Sequence, residues 1–392
     1  MLLKSITISG LLSFGPEPVT LEFEPLTVLI GPNGSGKSNL LDVIGVLQAA
    51  PKDLWAPIRS SGGILEWLWK GSEKGTDALI SVRIYEPYPI IANRLNLIQH
   101  KIRFSGFPER SVIEEHIITG LLHDDTLVER NIEYDRDIHR PGALIKSAEE
   151  NCLTIIPRDN QSILSDIKDY YHYPHITTLG EIFSAIKIYR DLTFSRVSGR
   201  RLPQAADARN DALDEGGTNL GLILSQIRRD PEAKRRLLEY LRLLYDGIHD
   251  FDVIVEAGTV QVFLEEENRS IPATRLSDGT LRYLSLLAIL CHPNPPPLVC
   301  IEEPELGLHP DILPSLARLL QEASSRMQLI VTTHSDILVD ALSDTPECIV
   351  VCEKHDGATR MTRLNADDLK EWLEHYTLGQ LWQKGQIGGT RW

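Results

Sequence analysis

An apolar run at residues 26–30, LTVLI, feeds directly into GPNGSGKS at 31–38 and then into NLLDVIGVLQAA. No other stretch restricts the fold as tightly. The octet fits GxxxxGK[ST] in full, with Gly31, Gly36, Lys37 and Ser38 at the defining positions. Glycines let a backbone wrap closely around a phosphate, so that loop amides and a helix N-terminus face the anion. The candidate cradle therefore comprises Gly31, Pro32, Asn33, Gly34, Ser35, Gly36, Lys37, Ser38 and Asn39. Lys37 is expected to reach the β- and γ-phosphates of a nucleotide, and the Ser38 hydroxyl to ligate Mg²⁺. A strand pattern before the loop and a helical pattern after it distinguish this from a chance glycine-rich turn.

A second helix start appears far downstream, in RLSDGTLRYLSLLAIL at 275–290. Ser277 is a good N-cap, and Ser277, Asp278 and Gly279 open a long apolar helix whose first-turn amides could take an anion. The anion cannot be named from this stretch alone. The apolar strand pattern LVCIEE then ends in two carboxylates, at the strand tips where parallel sheets meet ligands. Glu302 is expected to hold the metal through water, and Glu303 to polarise an attacking water. VTTHSDIL supplies another strand tip, with His334 placed for a γ-phosphate contact.

At 392 residues, the chain has room for two or three domains or one elaborated domain, and its 42% apolar content can fill a core. No apolar run approaches a membrane span and MLLKSITISG lacks a signal-peptide core, which predicts a soluble cytoplasmic protein with no membrane partner. The cysteines, Cys152, Cys291, Cys300, Cys348 and Cys352, are odd in number and form no CxxC pair. Cys348 and Cys352 have no second pair to complete four metal ligands. A net charge of −15 argues against nucleic acid held by the whole surface. Residues 187–242 differ, with twelve Lys/Arg against eight Asp/Glu. That stretch reads either as the solvated face of a helical insert or as a local nucleic-acid or partner contact.

Strand patterns occupy 2–8, 19–24, 26–30, 78–85 and 96–104, with weaker ones to about 118. From about 160 to 249 the pattern is mostly helical, with Pro231 in the first turn of one helix. Residues 251–266 read as a hairpin turning at Ala257-Gly258, and strands and helices then alternate. The expected fold is α/β: a mostly parallel core sheet, an antiparallel β-subdomain and a largely helical insert. The expected division is an N-terminal lobe at 1–120, a mostly helical insert at 121–250, a C-terminal lobe at 251–360 and a tail at 361–392. The tail carries Trp372, Trp382 and Trp392, which either fold back or anchor a partner.

Taken in order, these residues resemble the ABC-type ATPase heads of the RecF, SMC and OLD-like group. GPNGSGKS resembles their Walker A, LSDGT their signature, LVCIEE their Walker B, PELGLHP their D-loop and His334 their switch histidine. ITISGLLSFGP resembles the opening strand and its turn toward the adenine. The resemblance implies ATP and Mg²⁺ as cofactors, catalysis by Glu303, His334 and Lys37, and metal binding by Ser38 and Glu302. Three departures stand out: Glu302 occupies a position usually held by Asp, His309 a D-loop Asp position, and no Q-loop glutamine is identifiable, with Gln99 only a weak candidate.

Transporter ATPases have a shorter interval before the signature, true SMC proteins fill it with heptads, and OLD-like nucleases carry a TOPRIM domain that is not found here. What remains resembles stand-alone bacterial ATPases, some of which act beside a separately encoded nuclease or toxin in antiphage defence. In this group the signature of one subunit completes the ATP site of another, which implies a homodimer closed around ATP. Three uses follow from the resemblance: an ATPase acting on DNA in repair, a defence ATPase controlling a partner effector, and a nucleotide-gated scaffold with slow hydrolysis.

Overall fold

The computed structural model describes residues 2–71, 77–85, 96–105, 112–123, 126–137, 142–146, 152–158, 160–190, 192, 201–245, 247–267 and 269–389. Its centre is a six-stranded sheet in the order Lys187–Tyr189, Leu298–Glu302, Gln328–Thr332, Leu26–Ile30, Ile349–His355, Ala358–Arg363. All neighbours pair in parallel except the last, an antiparallel hairpin. Both faces of this sheet are buried, which explains why its strands read as unbroken apolar runs. Alternate residues serve different cores: Val28 and Ile30 face one cluster, while Leu29 faces the other.

One face packs against the signature-like helix Asp278–Leu290, the helix Leu313–Ser324 and the pair Leu220–Arg229 and Pro231–Leu241. The other holds the loop helix Lys37–Asp53, the helix Pro174–Ala185 and an eight-stranded antiparallel sheet. That sheet runs Val19–Glu22, Leu3–Ser9, Ala78–Tyr85, Asn96–Ser105, Val112–His123, Thr126–Arg136, Ala143–Lys146, Cys152–Ile155. Gln328 clamps the two sheets together: its Oε1 accepts from Leu3 N at 2.7 Å and its Nε2 donates to Leu3 O at 2.8 Å. The hairpin Ile248–Glu256 and Thr259–Glu266 turns where expected, with φ of 48° at Ala257 and 77° at Gly258, the paired positive values of a two-residue turn.

Two expectations are corrected. Strands continue past residue 120 to Ile155, so the first part of the 121–250 interval belongs to a sheet. Polar groups interrupt the apolar face of this part of the sheet: buried Glu115 accepts from the Ser162 hydroxyl and Ile163 N–H and bonds His100 Nε2 at 2.7 Å, while Arg136 donates to the carbonyls of Arg158 and Gln161. The same interval also supplies Lys187–Tyr189 as an edge strand of the central sheet. Its basic residues are largely matched with acids, as in Arg228–Asp252, Lys234–Asp250, Arg236–Glu232 and Arg209–Asp211. Trp382 folds back into the core and donates from Nε1 to Gly389 O at 3.0 Å, whereas Trp372 stays half-exposed beside Tyr376. Trp392 lies outside the described residues. No helix among the described residues is long and apolar enough to cross a membrane.

Candidate active site

The strand Leu26–Ile30 ends at Gly31, whose φ of 143° and missing side chain admit a close backbone neighbour; a Cβ there would lie 2.2 Å from Cys352 O. Gly36 has φ 104° and a Cβ on it would fall 2.3 Å from Thr359 Oγ1, so only glycine closes the loop onto the helix. The helix Lys37–Asp53 begins without a side-chain cap, and its first amides face the loop. Behind the loop, Thr359 Oγ1 donates to Ser35 O at 2.9 Å and sits 2.7 Å from Ser13 Oγ, which accepts from Asn39 Nδ2 at 2.7 Å. This hydroxyl network ties three distant segments to one turn.

Lys37 is buried and spans the loop, its Nζ donating to Gly31 O at 2.8 Å and Pro32 O at 3.0 Å. Burial lowers its pKa from the ordinary lysine value; Cys352, Glu303, Glu302 and Glu305 pull the other way. The Ser38 hydroxyl donates to Glu302 Oε1, joining the loop helix to the tip of the strand Leu298–Glu302. Glu302 Oε2 in turn lies 3.9 Å from Arg190 Nη1, which bonds Asp42 Oδ1 at 2.8 Å. Burial raises the Asp42 carboxyl above its usual range, against the pull of Arg190.

Glu303 adopts φ 47°, a left-handed conformation unusual for a residue with a side chain. Its backbone is held from both sides: its N–H donates to Thr332 O at 3.0 Å, and its carbonyl accepts from Arg282 Nη2 at 2.9 Å. Its carboxylate lies beside His334, with His334 Nε2 3.6 Å from Glu303 Oε1. Glu305, two residues on, accepts at Oε1 from Thr333 Oγ1 at 2.7 Å and from His334 N at 2.8 Å. Burial raises its pKa, and those two hydrogen bonds lower it.

The signature-like turn is elsewhere on this surface. Ser277 caps its helix, accepting from Thr280 N at 3.0 Å, and Asp278 pairs with buried Arg201, which also donates to Leu276 O. Gly279 lets the helix start press on the turn after Glu303, since a Cβ there would be 2.7 Å from Gly307 O. Among the described residues, no hydrogen bond or ion pair joins Ser277, Asp278 or Gly279 to residues 31–39. His309 caps a short turn, accepting from Asp311 N at 3.4 Å, with its Nδ1 3.3 Å from Asp311 Oδ2.

The structure thus brings the loop, Glu302, Glu303 and His334 to adjoining strand tips, with the signature-like turn packed against the turn after Glu303 and not bonded to the loop. Sequence reading missed Arg190, Asp42, Glu305, Arg282, Arg201 and Thr359. Of these, only Glu305 carried a signal, as a third carboxylate just after Glu302 and Glu303. Gln99 bonds Ser81 at 3.1 Å within the eight-stranded sheet, and the strand tip beside Glu302 carries Arg190 instead.

These features fit a magnesium nucleotide: a hydroxyl and a carboxylate converge as hard oxygen donors at the start of the loop helix, beside the buried Lys37. A family model described as "AAA domain, putative AbiEii toxin, Type IV TA system" matches residues 26–340. The chromosome partition protein Smc of Mycolicibacterium paratuberculosis is 56% identical over 45 residues, which cover 11% of this chain and 4% of that protein. The corresponding protein of Halothermothrix orenii is 51% identical over the same length and the same shares. Among solved structures, an Smc head bound to the C-terminal winged-helix domain of ScpA aligns with a TM-score of 0.59 at 16% identity, covering 93% of this chain and 99% of that one. A Pyrococcus furiosus Smc head with an extended coiled coil, bound to the C-terminal domain of ScpA, aligns at 0.58 and 15% identity, covering 95% and 98%. The fold is that of an SMC head.

Proposed function

This chain belongs to that AAA-domain family of ABC/SMC-like ATPases, and we propose that it binds ATP with Mg²⁺ and hydrolyses it between two copies of itself. The observation that carries this reading is the convergence of Ser38 on Glu302 and of His334 on Glu303 beside one glycine loop. Bound there, the magnesium ion supplies charge neutralisation along the phosphates. The loop amides and Lys37 hold the phosphates, and Ser38 with Glu302 holds the metal. Glu303, locked by its left-handed backbone, orients and polarises the attacking water and accepts its proton. His334 steadies the γ-phosphate oxygens from the adjacent strand tip.

The signature turn of the same copy is tied to its own Arg201 and Gly307 and makes no bond to its own loop, which favours its use by a second copy. A helix N-terminus contributes about 0.3–1 kcal/mol toward an anion. A charge-assisted hydrogen bond adds about 1.5–3 kcal/mol. Two such contacts in a symmetric dimer offset a good part of an association cost of about 4–15 kcal/mol. ATP then holds the dimer together, and hydrolysis releases it.

Among the three uses, control of a separately encoded partner in defence is favoured. The matching family is described by a toxin of a toxin–antitoxin system, and several described basic residues of 187–242, among them Arg228, Lys234 and Arg236, are paired with acids of the same chain. The reading is tested by measuring phosphate release from ATP and Mg²⁺ with the wild type and Glu303→Gln. The variant is expected to lose about 10²–10⁴-fold in turnover while still binding ATP. Equal turnover in both proteins removes Glu303 from the mechanism.

A further inference from the structure

We propose that Glu305 is a positioning residue for the switch histidine, acting through the backbone of Thr333 and His334 and not on the phosphates themselves. This inference rests on the ATPase reading for its kinetic arm alone.

The geometry is specific. A single oxygen, Glu305 Oε1, takes both the Thr333 hydroxyl at 2.7 Å and the His334 N–H at 2.8 Å. Charge-assisted bonds of this kind are among the stronger ones a side chain makes. Both donors lie just past the strand Gln328–Thr332, at the point where the chain leaves the sheet. From the other side of the same turn, Thr332 O and Oγ1 accept from Glu303 N at 3.0 and 3.2 Å. Glu303 and Glu305 therefore staple the two neighbouring strand tips twice, once by backbone and once by carboxylate. The distance set by this double staple is the 3.6 Å between His334 Nε2 and Glu303 Oε1. Without the carboxylate, the segment keeps the bond from Thr333 N to Leu29 O at 3.1 Å and the Ser335 cap on Leu338 N at 3.2 Å, and loses the two bonds that Glu305 makes at Thr333 Oγ1 and His334 N. Glu305 Oε2 is buried without a hydrogen-bond partner among the described residues. The side chain thus sits buried with one oxygen carrying both bonds, a position that surface charge does not account for.

The test compares Glu305→Ala, which removes both bonds, with Glu305→Gln, whose remaining carbonyl oxygen can accept both. In nucleotide-free protein, the His334 backbone amide should lose protection from hydrogen exchange in the alanine variant and keep it in the glutamine variant. Small displacements of a reacting group cost about 10–10²-fold in rate. Glu305→Ala should therefore lose about that much in kcat with KM and ATP affinity unchanged, and Glu305→Gln should restore most of it. Added to His334→Ala, Glu305→Ala should cause no further loss. Loss of ATP binding in Glu305→Ala, full additivity with His334→Ala, or an unchanged His334 amide each overturns the proposal. If Glu305→Ala does not fold, Thr333→Val removes one donor and carries the same comparison: lower kcat at constant KM supports the role, and unchanged kcat overturns it. A wild type that hydrolyses no ATP would sink the ATPase reading, while the amide measurement still decides the part played by Glu305.

Discussion

At the scale of single residues, the site combines groups whose chemistry depends on their neighbours. Ser277 shows the difference between a structural and a catalytic duty. Its hydroxyl already caps a helix through Thr280 N, a bond worth about 0.5–2 kcal/mol. Offering a hydrogen bond to a second copy's nucleotide is a separate role that the cap leaves open, because a hydroxyl both accepts and donates. Ser277→Arg is therefore expected to abolish hydrolysis and leave equilibrium ATP binding within about twofold of wild type, since a bulky cation obstructs only the trans contact. Isothermal titration and phosphate release on the same preparation separate the two effects. Loss of binding in that variant would assign Ser277 to its own subunit's site. The residues most legible in the sequence at this scale, Lys37, Ser38, Glu302, Glu303 and His334, were those with a fixed neighbour in a motif. Arg190 was not legible, because its two carboxylate partners, Asp42 and Glu302, are distant in the chain and met only by folding.

At the scale of elements, turns and helix starts determine whether those residues meet. The junction at Gly36 requires a positive φ and has Thr359 against its missing Cβ, so two independent penalties apply to any side chain. Gly36→Ala is expected to lower stability by about 1–3 kcal/mol and to weaken ATP binding. Chemical denaturation and nucleotide titration read the two losses. Undiminished stability would mean that the loop shifts freely away from the Thr359 network. Strand periods were readable where one face was apolar, as at 78–85 and 96–105. They faded past 118, where buried positions include Thr119 and Arg136, whose burial depends on partners that no local period displays.

At the scale of the whole molecule, two consequences follow from a sheet with two buried faces and a site at its tips. A site whose signature-like turn makes no bond to its own loop, if a second copy completes it, should couple nucleotide to assembly. Glu303→Gln in saturating ATP and Mg²⁺ is accordingly expected to run as a dimer by light scattering, and a monomer at that point would count against the trans arrangement. The second consequence concerns the cores. Cys291, Cys300, Cys348 and Cys352 are all buried, and burial raises their thiols, with Cys291, Cys348 and Cys352 pushed up to about 12. At pH 8 these four stay protonated, so iodoacetamide should label them only after denaturation. Rapid labelling of any of the four in native protein would indicate local opening of its cluster.

The phosphate loop, its flanking strand and helix, and the alternation after residue 270 were determined by sequence alone. Each depends on local conformational rules: glycine at positive φ, apolar runs at sheet centres, a cap before a helix. Tertiary structure decided which distant carboxylates and cations share a site. It brought Arg190 to Glu302, Glu305 to the backbone of His334, and Arg201 to Asp278. The first two arise because parallel strands from remote parts of the chain end side by side, and no local pattern encodes which tips become neighbours.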